Sequence, residues 1–321
     1  MDATKCMALY LGVDGGGSHT VALVGDHEGH ILGRGEAKAS NVYSAGLREA
    51  RDALRAAVGQ ALSAAGAQQP VAVACLGLAG AGRPAEQALW QRWAEEANLA
   101  KRVLVVNDCD LVLAAGTPAG WGLALIAGTG SIALGRSPEG AQARAGGWGY
   151  LLGDEGSGYA VGLAALQAIA RAADSRAPGT SLTQAVLTHW QLDEPSQLVG
   201  FVYRPSVPRA EIAGLAPFVE AAAAAGDVVA QGILKSAGAE LARALDAVAR
   251  RLGLTGDAIP CALGGSLLVR GDGLRREALH AAAELGWNLW PVALVEEPAV
   301  GALRLARGKT LVAESGGSEG A

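Results

Sequence analysis

Short apolar runs alternate with amphipathic stretches along the first 150 residues. Runs at 8–13, 21–25 and 31–35 predict three strands, the last two joined by the turn His27-Glu28-Gly29. Apolar positions at helical spacing over 47–66 predict a long helix. A buried strand at 71–78, a helix at 85–98, a strand at 103–106 and a short helix at 110–115 follow. This is an α/β pattern that opens on antiparallel strands. Beyond Thr117-Pro118, runs at 123–127 and 131–135 predict two strands around the turn Gly128-Thr129-Gly130. An alanine-dominated stretch, 158–252, predicts helix and close helix packing. A strand at 259–263, a helix at 275–285, a strand at 290–295 and a last helix from Pro298 to 306 complete the pattern. The Gly/Ser/Glu-rich residues 309–321 read as a disordered tail.

One internal echo adds to this. Residues 9–35 read strand, glycine-rich turn with a hydroxyl, strand, Glu-Gly turn, strand, and residues 123–147 read the same way. The echo predicts a duplicated fold with two facing lobes, whose hairpin turns would clamp a phosphate chain. The expected lobes are 1–117, with the last helix 298–308 packing back on it, and 118–297.

Composition narrows the function. Of 321 residues, half are hydrophobic and 18% are charged, so a sizeable core is available and disorder is excluded as the main state. With 26 Lys and Arg against 31 Asp and Glu, the net charge of −5 argues against nucleic acid as a partner. Cys6, Cys75, Cys109 and Cys261 are far apart, which fits a reducing compartment better than a disulfide framework. No targeting segment is visible, and no run approaches the roughly 20 apolar residues of a membrane span. The expectation is a cytoplasmic protein.

Several motifs can carry chemistry. Asp14-Gly15-Gly16-Gly17-Ser18 follows a strand directly. Its glycines let backbone approach a ligand and expose consecutive N–H groups to an anion, or simply make a flexible hairpin. Asp14 is a candidate for Mg²⁺, held through water. Gly128-Thr129-Gly130-Ser131 is the second such turn, with Thr129 and Ser131 as donors. Asn107-Asp108-Cys109-Asp110 ends a strand, where α/β proteins place ligands. Asp108 is the candidate general base for a hydroxyl attacking a phosphoryl group, with helix capping assigned to Asp110. Gly146-Gly147-Trp148-Gly149 and Gly153-Asp154-Glu155-Gly156-Ser157-Gly158 form the densest glycine and acid cluster. Its acceptors suit sugar hydroxyls; Trp148 packs beside a ring or plugs the core, and Glu155 alternatively favours the next helix N-terminus. Ser40 and Asn41 read first as N-caps of the long helix. Gly264-Gly265-Ser266 offers backbone to a flat ring such as adenine, or serves tight packing. Gly308-Lys309-Thr310 is a decoy, because the spacing of a P-loop is not met. The histidines predict no zinc site.

Together these motifs resemble the BadF/BadG/BcrA/BcrD ATPase family, within the sugar kinase/Hsp70/actin superfamily, and its amino-sugar kinases most of all. The likeness runs from Leu11 to Arg307. It implies two ribonuclease-H-like, actin-like ATPase lobes with ATP in the cleft and extra helices in the second. It also implies that Asp14 to Ser18 and Gly128 to Ser131 hold phosphates and Mg²⁺, and that Gly264, Gly265 and Ser266 lie by the adenosine. Asn41, Asp108, Gly147, Trp148 and Asp154 would surround the sugar. Asp108 would activate the 6-hydroxyl of N-acetylglucosamine and Asp154 orient the ring. A cytoplasmic homodimer through the second lobe is the implied assembly. Ile132 stands where the mammalian kinase has Asn, so glucosamine and N-acetylmuramic acid stay open as substrates. Two rivals remain: a BadF-type activator of a radical dehydratase, for which no cysteine looks like a cluster ligand, and a non-catalytic sugar sensor.

Overall fold

The chain is described by a computed structural model over residues 8–17, 19–117, 119–204, 209–255 and 258–315. It divides into two units, Met1–Pro118 with Glu297–Ala321, and Ala119–Glu296.

In the first unit β1 (Tyr10–Gly15) pairs antiparallel with β2 (His19–Gly25), and β2 with β3 (Ile31–Lys38). On its other side β1 runs parallel to β4 (Val71–Leu78), and β4 to β5 (Ala100–Asn107). The order is β3-β2-β1-β4-β5. β1 and β4 are buried almost throughout, which is why they read as continuous apolar runs rather than alternating ones. α1 (Val42–Ala45) precedes α2 (Leu47–Ala64). α2 turns Ala50, Leu54, Ala57, Val58 and Ala61 inward at three- and four-residue steps. Its small residues let β3 come close, and a Cβ at Gly33 or Gly35 would run into the α2 backbone at Ala61 or Ala57. α3 (Pro84–Glu96) starts on a proline, whose missing N–H costs nothing in the first turn. It buries Trp90 and Trp93, edge to face at 5.8 Å. α4 (Asp108–Gly116) begins two residues earlier than the sequence pattern predicts, so Asp108 itself is helical.

The second unit repeats the plan. β6 (Gly122–Ala127), β7 (Ser131–Arg136) and β8 (Gln142–Gly146) are successive antiparallel neighbours. β9 (Ile259–Gly264) runs parallel to β6, and β10 (Leu289–Leu294) parallel to β9. The order β10-β9-β6-β7-β8 is the first sheet's order with the same senses. The echo between the hairpins therefore extends to whole sheets.

Between β8 and β9 the second unit carries α5 (Gly158–Ala173), α6 (Leu182–Trp190), α7 (Gln197–Val202), α8 (Arg209–Ala213), α9 (Ala216–Ala224) and α10 (Val228–Arg251). The alanine-rich stretch is thus broken rather than continuous, at turns containing Pro178-Gly179, Pro195 and Gly226. Asp227 caps α10, accepting the N–H groups of Val229 at 2.9 Å and Ala230 at 3.0 Å. α11 (Ser266–Arg270) and α12 (Asp272–Glu284) follow β9.

The last helix, α13 (Ala299–Ser315), belongs to the first unit. It lies against β1 and α4, where Gly12 and Gly301 leave no room for a Cβ beside the backbones of Leu303 and Leu111. The expectation of disorder from 309 is corrected for the described residues: the helix runs to Ser315, and Lys309 to Glu314 holds neither Gly nor Pro to break it. Residues 316–321 and Cys6 lie outside the described residues. Among the described residues no single helix is long and apolar enough to cross a membrane.

Candidate active site

In the first unit Asp14 stands next to last in β1, and Asp108 opens α4 directly after β5. Both strands run parallel to β4, so the two carboxylates leave the same end of the sheet, its carboxyl end. Asp14 is only 9% exposed. Burial, and then the negative charges of Asp108 and Glu297, push its pKa from 3.8 to about 7. A hard divalent cation such as Mg²⁺, which takes oxygen ligands, would relieve the repulsion that Asp14 feels. Glu297, just before Pro298, is not singled out by the sequence; its Oε1 accepts Arg34 Nε at 2.9 Å.

Asp108 is half-buried, and burial raises its pKa. Hydrogen bonds from Cys109 work the other way: its backbone N–H and thiol both donate to Asp108 Oδ1, at 3.0 and 3.5 Å. Capping falls to other residues. Asn107 is the N-cap of α4, accepting Cys109 N–H at 3.2 Å, and Asp110 returns the bond by accepting Asn107 N–H at 3.2 Å. Asp110 thus shares the cap assigned to it alone.

The first glycine turn is less open than a row of free N–H groups. Gly16 N–H donates to His19 O at 3.0 Å, closing the β1–β2 turn, while Gly17 faces open space. Ser18 lies outside the described residues. Ser40 does not cap the long helix, whose N-cap is Gly46. Its buried hydroxyl pairs with Thr20 Oγ1 at 2.9 Å and its N–H donates to Gly16 O, tying the loop that carries Asn41 to the glycine turn.

In the second unit the turn Gly128-Thr129-Gly130 is anchored on α5. Gly158 N–H donates to Gly128 O at 2.7 Å and Tyr159 N–H to Thr129 O at 3.4 Å. Ser131 donates its hydroxyl to Glu155 O at 2.7 Å, so that proton holds the loop rather than a phosphate. Asp154 is buried in the left-handed region, φ 59°. Burial raises its pKa, opposed by the Ser131 and Gly149 N–H groups on its carboxylate and by the charge of Arg209. Ser157, not Glu155, caps α5. Gly147 N–H donates to Ser131 O at 3.1 Å, and Gly147 lies over Ile132. Trp148 is 68% exposed, which overturns the core-plug reading. Gly264 ends β9, and Gly265 (φ 81°) passes so close to Ala127 that no Cβ would fit. Gly264, Gly265 and Ser266 thus sit at the Gly128 turn, and Gly265 serves tight packing there. The structure gathers Thr129, Gly130, Gly147, Trp148, Asp154 and Gly264–Ser266 in one unit, and Asp14, Gly16, Gly17, Asn41 and Asp108 in the other.

Apart from these, Asp26, Glu28 and His30 bring ligand atoms within 4.8 Å of one another, a cluster the sequence reading overlooked. Asp26 Oδ1 already accepts three backbone N–H groups there, and Oδ2 pairs with His30 Nδ1 at 3.0 Å. Cys75, Cys109 and Cys261 are buried and free.

The family model described as BadF/BadG/BcrA/BcrD ATPase matches residues 11–306. An N-acetylmuramic acid/N-acetylglucosamine kinase of Clostridium acetobutylicum is 32% identical over 82% of this chain and 86% of its own. An N-acetyl-D-glucosamine kinase of Dictyostelium discoideum is 33% identical over 77% and 81%. A Chromobacterium violaceum structure described as a candidate N-acetylglucosamine kinase superposes with a TM-score of 0.72, at 29% identity over 94% of this chain and 99% of that one. With the duplicated sheet, the carboxylates at the strand ends and a match over nearly its whole length, the chain belongs to the BadF/BadG/BcrA/BcrD ATPase family.

Proposed function

We propose that the protein is an amino-sugar kinase that transfers the γ-phosphoryl group of ATP to the 6-hydroxyl of N-acetylglucosamine. The observation that carries this reading is Asp108: a carboxylate at the carboxyl end of a parallel strand, half-buried, raised in pKa and excused from capping by Asn107. In that role Asp108 accepts the hydroxyl proton as the sugar oxygen attacks the phosphorus and ADP leaves. Asp14 would hold Mg²⁺ through water, and that ion would supply charge neutralisation on the phosphates. Gly16 and Gly17 in the first unit, and Thr129 and Gly130 in the second, would offer backbone to phosphate oxygens, and Gly264, Gly265 and Ser266 would line the adenosine. Asn41, Gly147, Trp148 and Asp154 would surround the sugar, with Asp154 orienting the ring through its hydroxyls.

A second substrate, N-acetylmuramic acid, is favoured by the name of the Clostridium relative and by one feature of this chain. Arg209 lies over the Tyr150 ring, 4.8 Å from its centroid, and its charge reaches Asp154; it is a cation suited to a sugar carboxylate. ATP-dependent phosphorylation should be measured across N-acetylglucosamine, glucosamine, N-acetylmuramic acid and glucose with Mg²⁺. Preference for N-acetylglucosamine supports the first reading and preference for N-acetylmuramic acid the second. Transfer to none of the four would sink the sugar-kinase reading.

A further inference from the structure

Asp108 must present one oxygen to a hydroxyl and keep it there. A carboxylate on a single Cα–Cβ stem turns about its last bond, and χ2 of Asp is a soft torsion. What fixes it is therefore a real question for any proton acceptor at this position. The local donors answer it. Both hydrogen bonds from Cys109 fall on the same oxygen, Oδ1: the backbone N–H at 3.0 Å and the thiol at 3.5 Å. The N–H is shared, because it also donates to Asn107 Oδ1 at 3.2 Å. Among the described residues the thiol is not divided in this way. It lies buried at the start of α4 and, pushed up by burial and then by the adjacent Asp108 charge, stays protonated and acts as a donor at neutral pH.

Resting on the reading of Asp108 as base, we propose that Cys109 is a positioning residue: its thiol and N–H clamp Oδ1 and leave Oδ2 to take the proton of the acceptor hydroxyl. The thiol touches neither sugar nor phosphate in this role. It forms no covalent bond and loses no proton; through its hydrogen bond it restricts the rotation of its neighbour. A near-attack geometry is sensitive to such small displacements, so the effect belongs on turnover rather than on substrate affinity.

The full chain carrying Cys109→Ala, Cys109→Val or Cys109→Ser should be assayed beside Asp108→Asn, with thermal unfolding of each. Cys109→Ala and Cys109→Val, which lack the donor but bracket the thiol in volume, should lower kcat about tenfold while the sugar KM moves by less than about twofold. Cys109→Ser, which restores a donor, should recover kcat to within about threefold of the parent. A second readout needs no turnover. The S–H stretching band lost in Cys109→Ala should lie at the low frequency of a carboxylate-bonded thiol, and should rise in Asp108→Ala. Wild-type kcat in folded Cys109→Ala and Cys109→Val, with Asp108→Asn inactive, overturns the positioning role and leaves the base in place. Full activity in Asp108→Asn overturns both. A band that ignores Asp108→Ala removes the hydrogen bond, and the proposal with it.

Discussion

The carboxylate of Asp154 occupies the space beside Gly130 so closely that a Cβ on that glycine would stand 2.8 Å from Oδ2. The acid is held there by the Ser131 and Gly149 N–H groups, at a backbone φ of 59° that few residues adopt without such support. Gly130→Ala must therefore push the carboxylate off its donors. If Asp154 orients the sugar, Gly130→Ala should raise the sugar KM about tenfold, and Asp154→Ala at least as much. The double variant should be no worse than Asp154→Ala alone, because both lesions act through one group. Additive losses in the steady-state KM values would separate the two residues.

Asp14 makes stability depend on pH in a definite direction. Its folded pKa of about 7 lies above the ordinary 3.8, so the folded state prefers the protonated acid. Asp14's contribution is then fully present below pH 3.8 and is lost as pH rises through about 7. The loss is up to roughly 4 kcal/mol. Asp14→Asn should unfold at a higher temperature than the parent at pH 8, and the gap should close toward pH 4. Mg²⁺ should stabilise the parent at pH 8 and leave Asp14→Asn unmoved, since a ligand of the folded state raises its melting temperature. Parallel melting curves of parent and variant across the pH range would remove both the strain and the metal role from Asp14.

Much of this was readable in the chain. Asp14 and Asp108 stood out because each follows an apolar run: β1 is buried throughout and is written in that way, while β5, at the sheet edge, is only half-buried and is apolar over Val103–Val106. The glycine turns were visible because only glycine tolerates such close backbone approach, as Gly265 does at Ala127. What escaped were relations between residues far apart. Glu297 carries no local signal, and only the return of α13 to β1 brings its charge to bear on Asp14. The exposure of Trp148 has no local signature, because a tryptophan between glycines fits a core or a surface equally. The cap of α4 was assigned to Asp110 although Asn107 leads it, since a capping box joins both residues and spacing alone does not rank them. The breaks in the alanine-rich stretch were hidden by its high helix propensity, which says little about where a helix stops.

Ile132 packs under Gly147, where a Cβ would stand 2.8 Å from Cδ1. An apolar side chain there presents no hydrogen-bond partner to a sugar beside Gly147. Ile132→Asn would add an amide at that point. The ratio of kcat/KM for N-acetylglucosamine to that for N-acetylmuramic acid should rise about tenfold, the worth of one well-placed hydrogen bond. Competition assays with the two sugars in one vessel measure the ratio directly. A ratio unchanged in a folded, active variant would take Ile132 and its neighbour out of substrate selection.

Trp148 is a large side chain, 68% exposed, with Leu151 and Leu152 exposed beside it at 79% and 78%. Exposed tryptophan in a glycine-framed loop contributes little to folding, because little of its surface leaves water. Trp148→Ala should therefore leave stability within about 0.5 kcal/mol of the parent. If the ring instead packs on the apolar face of the bound sugar, its loss should raise the sugar KM about tenfold, and the ATP KM should stay within about twofold. The two quantities pull apart the two uses of a tryptophan: one that plugs a core loses stability when truncated, and one that meets a ligand loses affinity. A variant with unchanged stability and unchanged sugar KM would assign Trp148 neither role.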